Sequence, residues 1–257
     1  MTATEKKERT GKPIDVLPAG TISGKNQPKQ LTLDTDQAAK YEIEQRANGE
    51  FRYKLNSRRQ DTKRRAVKGV SDYLDYNLTM RIANDILWHG RQPQVGFYVI
   101  FSINTGLRVG DVLKLKYADL IGKQAGDYHT IIEQKTGKRR EVQLNDEVIN
   151  AFNYLMKRSR TKPGDYIFKS QKNHVFATVT INRTLKRIFK GCAPVISSHS
   201  LRKTFGRTFY DANGRSDYAL HLLSEIFNHS NIALTRRYLG LRKQEISDAF
   251  MNIKFNG

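Results

Sequence analysis

The stretch Gln94 to Asp111, QVGFYVIFSINTGLRVGD, decides how the rest of the chain is organised. Its first part, QVGFYVIFSINTG, is strongly apolar, as a core segment is. A Thr-Gly turn follows, and Arg108 then opens a helical pattern running to about Leu120, with Val109, Val112, Leu113 and Leu115 as its apolar positions. Asp111 lies three residues after Arg108. Residues i and i+3 share a helix face, so one turn can hold the guanidinium and the carboxylate together. Taken alone, the two residues read equally as an ordinary surface ion pair.

Upstream, residues 79–90 form an amphipathic pattern with Ile82, Ile86, Leu87 and Trp88. Before it stand VKGVSDYLDYNL and the basic run RRQDTKRR, Arg58 to Arg65. A basic run is either a solvated helix face or a strap that contacts phosphates. A weak helical pattern covers about Asp36 to Leu55, and residues 1–30 are rich in Lys, Thr, Gly and Pro, the composition of a flexible arm.

Downstream, DYHTIIEQKTGKRREVQL carries a strand from Tyr128 to Gln134, a Lys-Thr-Gly-Lys turn and a strand from Arg139 to Leu144, which together make a β-hairpin signal. Asn145 caps a helix through Val148, Ile149, Phe152 and Leu155. SRTKPGDYIF is a loop into a short strand. Thr178 or Thr180 can cap INRTLKRIFKGC, and Ser197 or Ser198 can cap HSLRKTFGRTFYDANG, which Gly214 closes. Leu220, Leu223, Ile226 and Phe227 mark a further helix, Asn231 caps the next, and KQEISDAFMNIKF is an amphipathic tail. The expected fold class is mainly α with a small antiparallel β-sheet (α+β).

Charge narrows the partner. Among 257 residues, 45 Lys and Arg against 25 Asp and Glu leave a net charge of +20, which favours a polyanion, with nucleic acid first. An anionic membrane is the competing partner, but the sequence has no apolar run of about 18 residues and no basic amphipathic helix with a bulky apolar face. The first twenty residues, MTATEKKERTGKPIDVLPAG, contain no apolar secretory core. The single Cys192 rules out an internal disulfide and a cysteine-based zinc cluster. The expected setting is reducing cytoplasm, at the nucleoid.

Four stretches place polar groups of unusual chemistry beside apolar helices. NTGLRVGD supplies Arg108 and Asp111. HSLRKTF supplies His199 and Arg202, again i and i+3, while Leu201 and Phe205 share another face. QKTGK supplies Lys135, and the last stretch supplies His229 and, nine residues on, Tyr238. Each has an ordinary reading too: a solvated turn lysine, a helix-start histidine, a packed tyrosine. Together they suit one reaction. Two arginines can clamp a phosphodiester and stabilise a pentacoordinate phosphorane. A tyrosine hydroxyl can attack phosphorus, a lysine can protonate the leaving 5′-oxygen, and histidines can accept or donate the nucleophile's proton. The acidic clusters of two-metal phosphoryl transfer and a GxxxxGK[ST] loop are both missing from the sequence, so the chemistry as read calls for neither metal nor ATP, and no cofactor is expected.

These boxes, in this order, resemble the tyrosine recombinase/phage integrase family. TGLRVGD resembles its first arginine box, QKTGKRREVQL its lysine hairpin, HSLRKTF its His-x-x-Arg box and FNHSNIALTRRY its last box. The resemblance covers roughly residues 77–257 and implies a DNA breaking-rejoining catalytic fold that cleaves through a 3′-phosphotyrosine. It implies the catalytic set Arg108, Lys135, His199, Arg202, His229 and Tyr238, supported by Asp111. It also implies four protomers acting on double-stranded DNA, with accessory DNA-bending factors as further partners and no membrane. The tail fits a C-terminal helix packed on a neighbouring protomer through Ile246, Phe250 and Ile253, with packing within the chain as the alternative.

The family's usual Leu-Gly-His is Phe227-Asn228-His229 here, and Lys203 stands where His is frequent. About 77 residues precede the catalytic part, so the expected division is a flexible basic arm over 1–35, a short helical DNA-binding strap over 36–77 and a catalytic domain over 78–257. Arg58, Arg59, Lys63, Arg64, Arg65 and Lys203 are the expected DNA contacts. The leading function is a phage or mobile-element integrase, followed by a resolvase or chromosome-dimer recombinase. A non-catalytic DNA-binding protein of the same fold is the rival from a different class, and a type IB topoisomerase, which shares the chemistry, is the enzymatic rival.

Overall fold

A computed structural model describes residues 41–45, 51–55, 70–159, 161–170 and 174–253. The arm, and the basic run carrying Arg58, Arg59, Lys63, Arg64 and Arg65, lie outside the described residues.

The segment expected to be helical over Asp36 to Leu55 contains a hairpin instead. Strands β1 (Tyr41–Gln45) and β2 (Phe51–Leu55) pair antiparallel, with Glu42 opposite Lys54 and Glu44 opposite Arg52. The corrective signal is the period-two alternation of YEIEQ and FRYKL, which the weak helical reading passed over.

Helix α1 (Tyr76–His89) starts where the Asp75 side chain accepts the Leu78 amide at 2.8 Å. It packs on α2 (Pro93–Thr105), whose residues from Val95 to Ile103 are all buried. A helix apolar on every side has to be wrapped by others, and α2 is the centre of the larger apolar cluster. Gly96 lets the two helices approach: a Cβ there would lie 2.5 Å from the Ala83 carbonyl oxygen.

The helix expected from Arg108 to Leu120 is much shorter. Helix α3 spans only Val109–Val112, and a single 3-10 turn follows at Tyr117–Asp119. The backbone between them is engaged by a distant segment: Tyr117 N–H donates to Asp165 (3.0 Å), Ala118 N–H to Pro163 (2.8 Å) and Ile167 N–H to Leu115 (2.9 Å). These bonds replace the helical ladder, and they hold 163–167 as bridged loop rather than as a strand.

Strands β3 (Tyr128–Ile132) and β4 (Arg139–Gln143) form the expected second hairpin, pairing His129 with Val142. Helix α4 (Asp146–Arg158) is capped by Asn145 as expected. Helix α5 (Thr178–Ile188) has Ala177 at its cap, so neither Thr178 nor Thr180 fills that role. Helix α6 (Ser198–Ala212) begins with a reciprocal capping box between Ser197 and Ser200. Helices α7 (Asp217–Ile226) and α8 (Ile232–Leu239) are capped by Ser216 and Asn231. With α6 they enclose a smaller apolar cluster of Tyr210, Ala219, Leu220, Leu223, Phe227, Leu239 and Leu241. Helix α9 (Leu241–Met251) follows; Ile246, Phe250 and Ile253 are exposed, Phe250 to 70%.

Residues just before position 78 are bonded to the helical unit. Asp72 N–H donates to the Val195 carbonyl at 2.9 Å, and Leu74 N–H to Thr204 Oγ1 at 2.9 Å, so residues 72–74 are fastened to α6 and its approach. Among the described residues, no helix is long and apolar enough to cross a membrane.

Candidate active site

Helix α2 stops at Gly106, whose φ of 61° turns the chain. A Cβ at that position would strike the Phe205 ring at 2.4 Å, so a residue without a side chain is required twice over. Two residues on, Arg108 is the N-cap of α3, with extended backbone (φ −74°, ψ 149°).

That geometry overturns the expected pairing with Asp111. A cap lies outside the helical face, so the i, i+3 rule does not hold there. Arg108 Nη1 instead meets Glu133 Oε2 at 2.7 Å, and its Nη2 donates to the Phe227 carbonyl at 3.2 Å. The buried Asp111 accepts the Gln134 N–H at 2.8 Å, which ties the β3–β4 turn to α3.

Arg202, in the second turn of α6, is 4% exposed. Its Nη1 donates to the Gly106 carbonyl and its Nη2 to the Phe227 carbonyl at 3.0 Å, with the guanidinium 4.3 Å over the Phe227 ring. Burial lowers its pKa to about 10, opposed by the nearby Tyr238, so the group remains cationic at neutral pH. Both arginines therefore converge on one carbonyl oxygen, 119 residues from Arg108 and 25 from Arg202 in sequence.

Lys135 sits at the exposed tip of the β3–β4 turn, which Glu133 closes with backbone bonds to Lys138 (2.9 Å) and Gly137 (2.8 Å). His199 lies at the start of α6, held below the ordinary imidazole range by desolvation and then by the charges of Arg202, Lys203, Arg108 and Lys135. Arg108, Lys135, His199 and Arg202 line one cleft of about 360 Å³, together with Asp111 and Thr178.

His229 and Tyr238 stand behind Arg202. The Tyr238 ring meets Phe227 (5.5 Å) and His229 (5.4 Å) edge-on. Its hydroxyl is buried and finds no hydrogen-bond partner of standard geometry among the described residues. Burial pushes its pKa up to about 12, against the opposing pull of Arg202 and Arg108, so at neutral pH it carries its proton. His229 Nδ1 bonds the buried Thr235 Oγ1 at 2.9 Å, leaving Nε2 as the second ring nitrogen. Burial, then Arg202 and Arg108, lower its pKa to about 4, so the imidazole is neutral at pH 7.

Asn228, the departure from the family's glycine, has φ 50°. That is the left-handed region where glycine is easiest and Asn is the commonest substitute, so the turn before His229 keeps its path. Lys203 was expected on a DNA-facing surface but is buried, its ammonium 5.4 Å from the centre of the Tyr238 ring. It follows Arg202 on α6 and is turned inward with it.

Sequence reasoning missed Glu133, Arg140 and Thr235. An acidic residue inside the basic run EQKTGKRRE was the available signal for Glu133, but its partner Arg108 lies on another element. Thr235 gave no signal apart from its place in α8.

Comparison with known proteins identifies the family. The model of the phage integrase family matches residues 96–245. The probable integrase/recombinase YoeC of Bacillus subtilis (strain 168) is 31% identical over 156 residues, covering 60% of this chain and 81% of that one. Among solved structures, XerA recombinase superposes with a TM-score of 0.52 at 23% identity, covering 73% of this chain and 67% of that one. XerH recombinase bound to its difH substrate gives 0.54 at 20%, covering 72% and 54%. The Tn1549 transposon integrase with circular intermediate DNA gives 0.52 at 19%, covering 67% and 62%. The matched span contains both arginine boxes, the lysine hairpin and Tyr238, and the chain belongs to the phage integrase family of DNA breaking-and-rejoining recombinases.

Proposed function

We propose that this site-specific recombinase cuts double-stranded DNA with Tyr238 as nucleophile, through a 3′-phosphotyrosine. The observation that carries the reading is the convergence of Arg108 and Arg202 on the Phe227 carbonyl, two residues before His229 and against the ring that packs Tyr238. Two permanent cations and a tyrosine hydroxyl thus meet around one point beside an open cleft. A phosphodiester entering the cleft would take guanidinium donors from both arginines and a further donor from His199.

In the cleavage step the Tyr238 oxygen–phosphorus bond forms and the phosphorus–O5′ bond breaks. Because the tyrosine carries its proton at neutral pH, that proton has to leave as the bond forms, and the neutral His229 is a fitting acceptor. Lys135, on the exposed turn, gives a proton to the departing O5′. The arginines stabilise the added negative charge of the phosphorane, and rejoining runs the same steps backwards.

The biological form is a homotetramer on DNA in which α9 packs on a neighbouring copy. The exposure of Ile246, Phe250 and Ile253 in the single chain supports this assignment. Within the family we read the protein as the integrase of a phage or mobile element, acting on DNA in the cytoplasm, with DNA-bending factors as accessory partners.

The test uses nicked suicide half-sites from the ends of the encoding element. The wild-type protein should form a covalent adduct that maps to Tyr238, and Tyr238→Phe should bind the same DNA without forming one. An adduct surviving in Tyr238→Phe would remove the nucleophile assignment.

A further inference from the structure

Glu133 has no step in the chemistry above, yet more of the site meets at its carboxylate than at any of the catalytic groups. The side chain is 1% exposed. Oε2 lies 2.7 Å from Arg108 Nη1, accepts the Thr136 hydroxyl at 2.8 Å and is approached by the Asn228 amide at 3.5 Å. Oε1 faces Arg140 Nη1 at 3.5 Å. The same residue closes the Lys135 turn through its own N–H and C=O, and the next amide is held by Asp111. One residue therefore grips the first arginine with its side chain and the lysine turn with its backbone.

The arrangement has a physical consequence. Arg108 is partly exposed and, apart from Glu133, is held by the Phe227 carbonyl at 3.2 Å. A long side chain with one neutral anchor keeps much of its rotamer freedom, whereas a buried carboxylate 2.7 Å from Nη1 adds a second, charged anchor that restricts its position. A donor gains catalytic value by being fixed before the charge develops. Removing the carboxylate would also leave Arg108 and Arg140 as like charges around an empty centre.

We propose that Glu133 is a positioning residue that fixes the Arg108 guanidinium on the Lys135 turn, so that phosphate clamp and proton donor are set as one piece. Asn228 joins the same centre: besides its amide contact to Glu133, its Oδ1 accepts from Lys138 Nζ at 3.4 Å, a contact the family's glycine cannot make. The proposal rests on the roles given above to Arg108 and Lys135.

The experiment measures single-turnover cleavage of suicide half-sites by the full chain. Glu133→Gln keeps the volume and an acceptor oxygen but removes the charge. It should slow adduct formation by about 10–100-fold, the cost of a small misplacement of a catalytic donor, with DNA affinity at matched salt unchanged. A half-site with sulfur at the bridging 5′ position releases a thiolate that leaves without a proton. It should restore Lys135→Ala but leave the Glu133→Gln deficit in place, because that deficit belongs to the arginine. In an Arg108→Lys background, Glu133→Gln should cost much less than in the wild type.

Thr136→Val, at an exposed turn position, withdraws one bond from the carboxylate without touching the core. It should give a smaller deficit of the same kind, and this arm decides the matter if Glu133→Gln fails to fold. Wild-type rates in either folded variant, or recovery of Glu133→Gln on the sulfur substrate, would overturn the proposal. Failure of the wild-type protein itself to form an adduct would instead overturn the parent reading.

Discussion

The two apolar clusters support the two halves of the site very unequally. Arg108 follows the buried Leu107 of the large cluster, and the lysine hairpin is seated in that cluster through Val142 and Leu144. Tyr238 packs against the small cluster, which among the described residues has seven buried members between Tyr210 and Leu241. Arg202 joins the two: its neighbour Leu201 belongs to the large cluster, while its guanidinium lies over Phe227 of the small one. The free energy of local opening rises with the apolar area a segment buries, so on the roles proposed above the clamp is carried by the more resistant part and the nucleophile by the more yielding one. An enzyme that must attack, hold a covalent strand and then release it benefits from this division.

The sharpest way to break the comparison is to remove the residue shared by both halves. Arg202→Ala should lower single-turnover cleavage by about 10²–10³-fold, the cost of losing one preorganised oxyanion donor. A rate within a few-fold of wild type would mean that Arg202 is structural, and that the halves are joined in some other way.

Next come two phenylalanines, one from each cluster. Phe97→Ala, in the centre of the large cluster, should cost about 3–5 kcal/mol in urea unfolding, while the protein that remains folded cleaves at the normal rate. Phe227→Ala should show the reverse balance, with a smaller loss of global stability and a larger loss of cleavage, because the ring packs Arg202, His229 and Tyr238 at once. Equal losses of stability and rate in both variants would erase the distinction between the clusters.

The smallest effect is a pH dependence of stability. The pKa of His229 falls from 6.5 in the unfolded chain to about 4 in the folded one, chiefly by burial. Between those values the unfolded state binds the extra proton, so stability rises with pH. The free protein should therefore lose thermal stability as pH falls from 6.5 towards 4, with no contribution from this group at pH 7 and above. His199 and His129 are shifted in the same direction, and desolvation leads in each. His229→Gln should flatten the slope of Tm against pH in that window. An unchanged slope would place the acid sensitivity elsewhere, in His199 or His129.

Local signals made much of this molecule legible in advance. Asn145, Ser197 and Asn231 accept amide hydrogens two or three positions away, so each helix start was written within a few residues. The second hairpin was equally readable from its alternating strands and its Lys-Thr-Gly-Lys turn. The first hairpin carried the same alternation and was misread because its charged positions also suit a helix surface. The Arg108–Leu120 helix failed for another reason: residues 163–167 take its backbone bonds, and nothing inside the segment announces that.

The site divides in the same way. The kinds of chemistry available at Arg108, Lys135, His199, Arg202, His229 and Tyr238 follow from their side chains and their boxes, and the sequence by itself determined them. Which groups meet was decided by the tertiary structure alone. Arg108 pairs with Glu133 rather than Asp111, two arginines share the Phe227 carbonyl, and Lys203 is buried against Tyr238. The direction in which Tyr238 and His229 shift their proton affinity also comes from burial and from charges brought by other elements. Caps and periodicities are settled by neighbours along the chain. Pairings and desolvation depend on residues dozens of positions apart, and only the packed core brings those together.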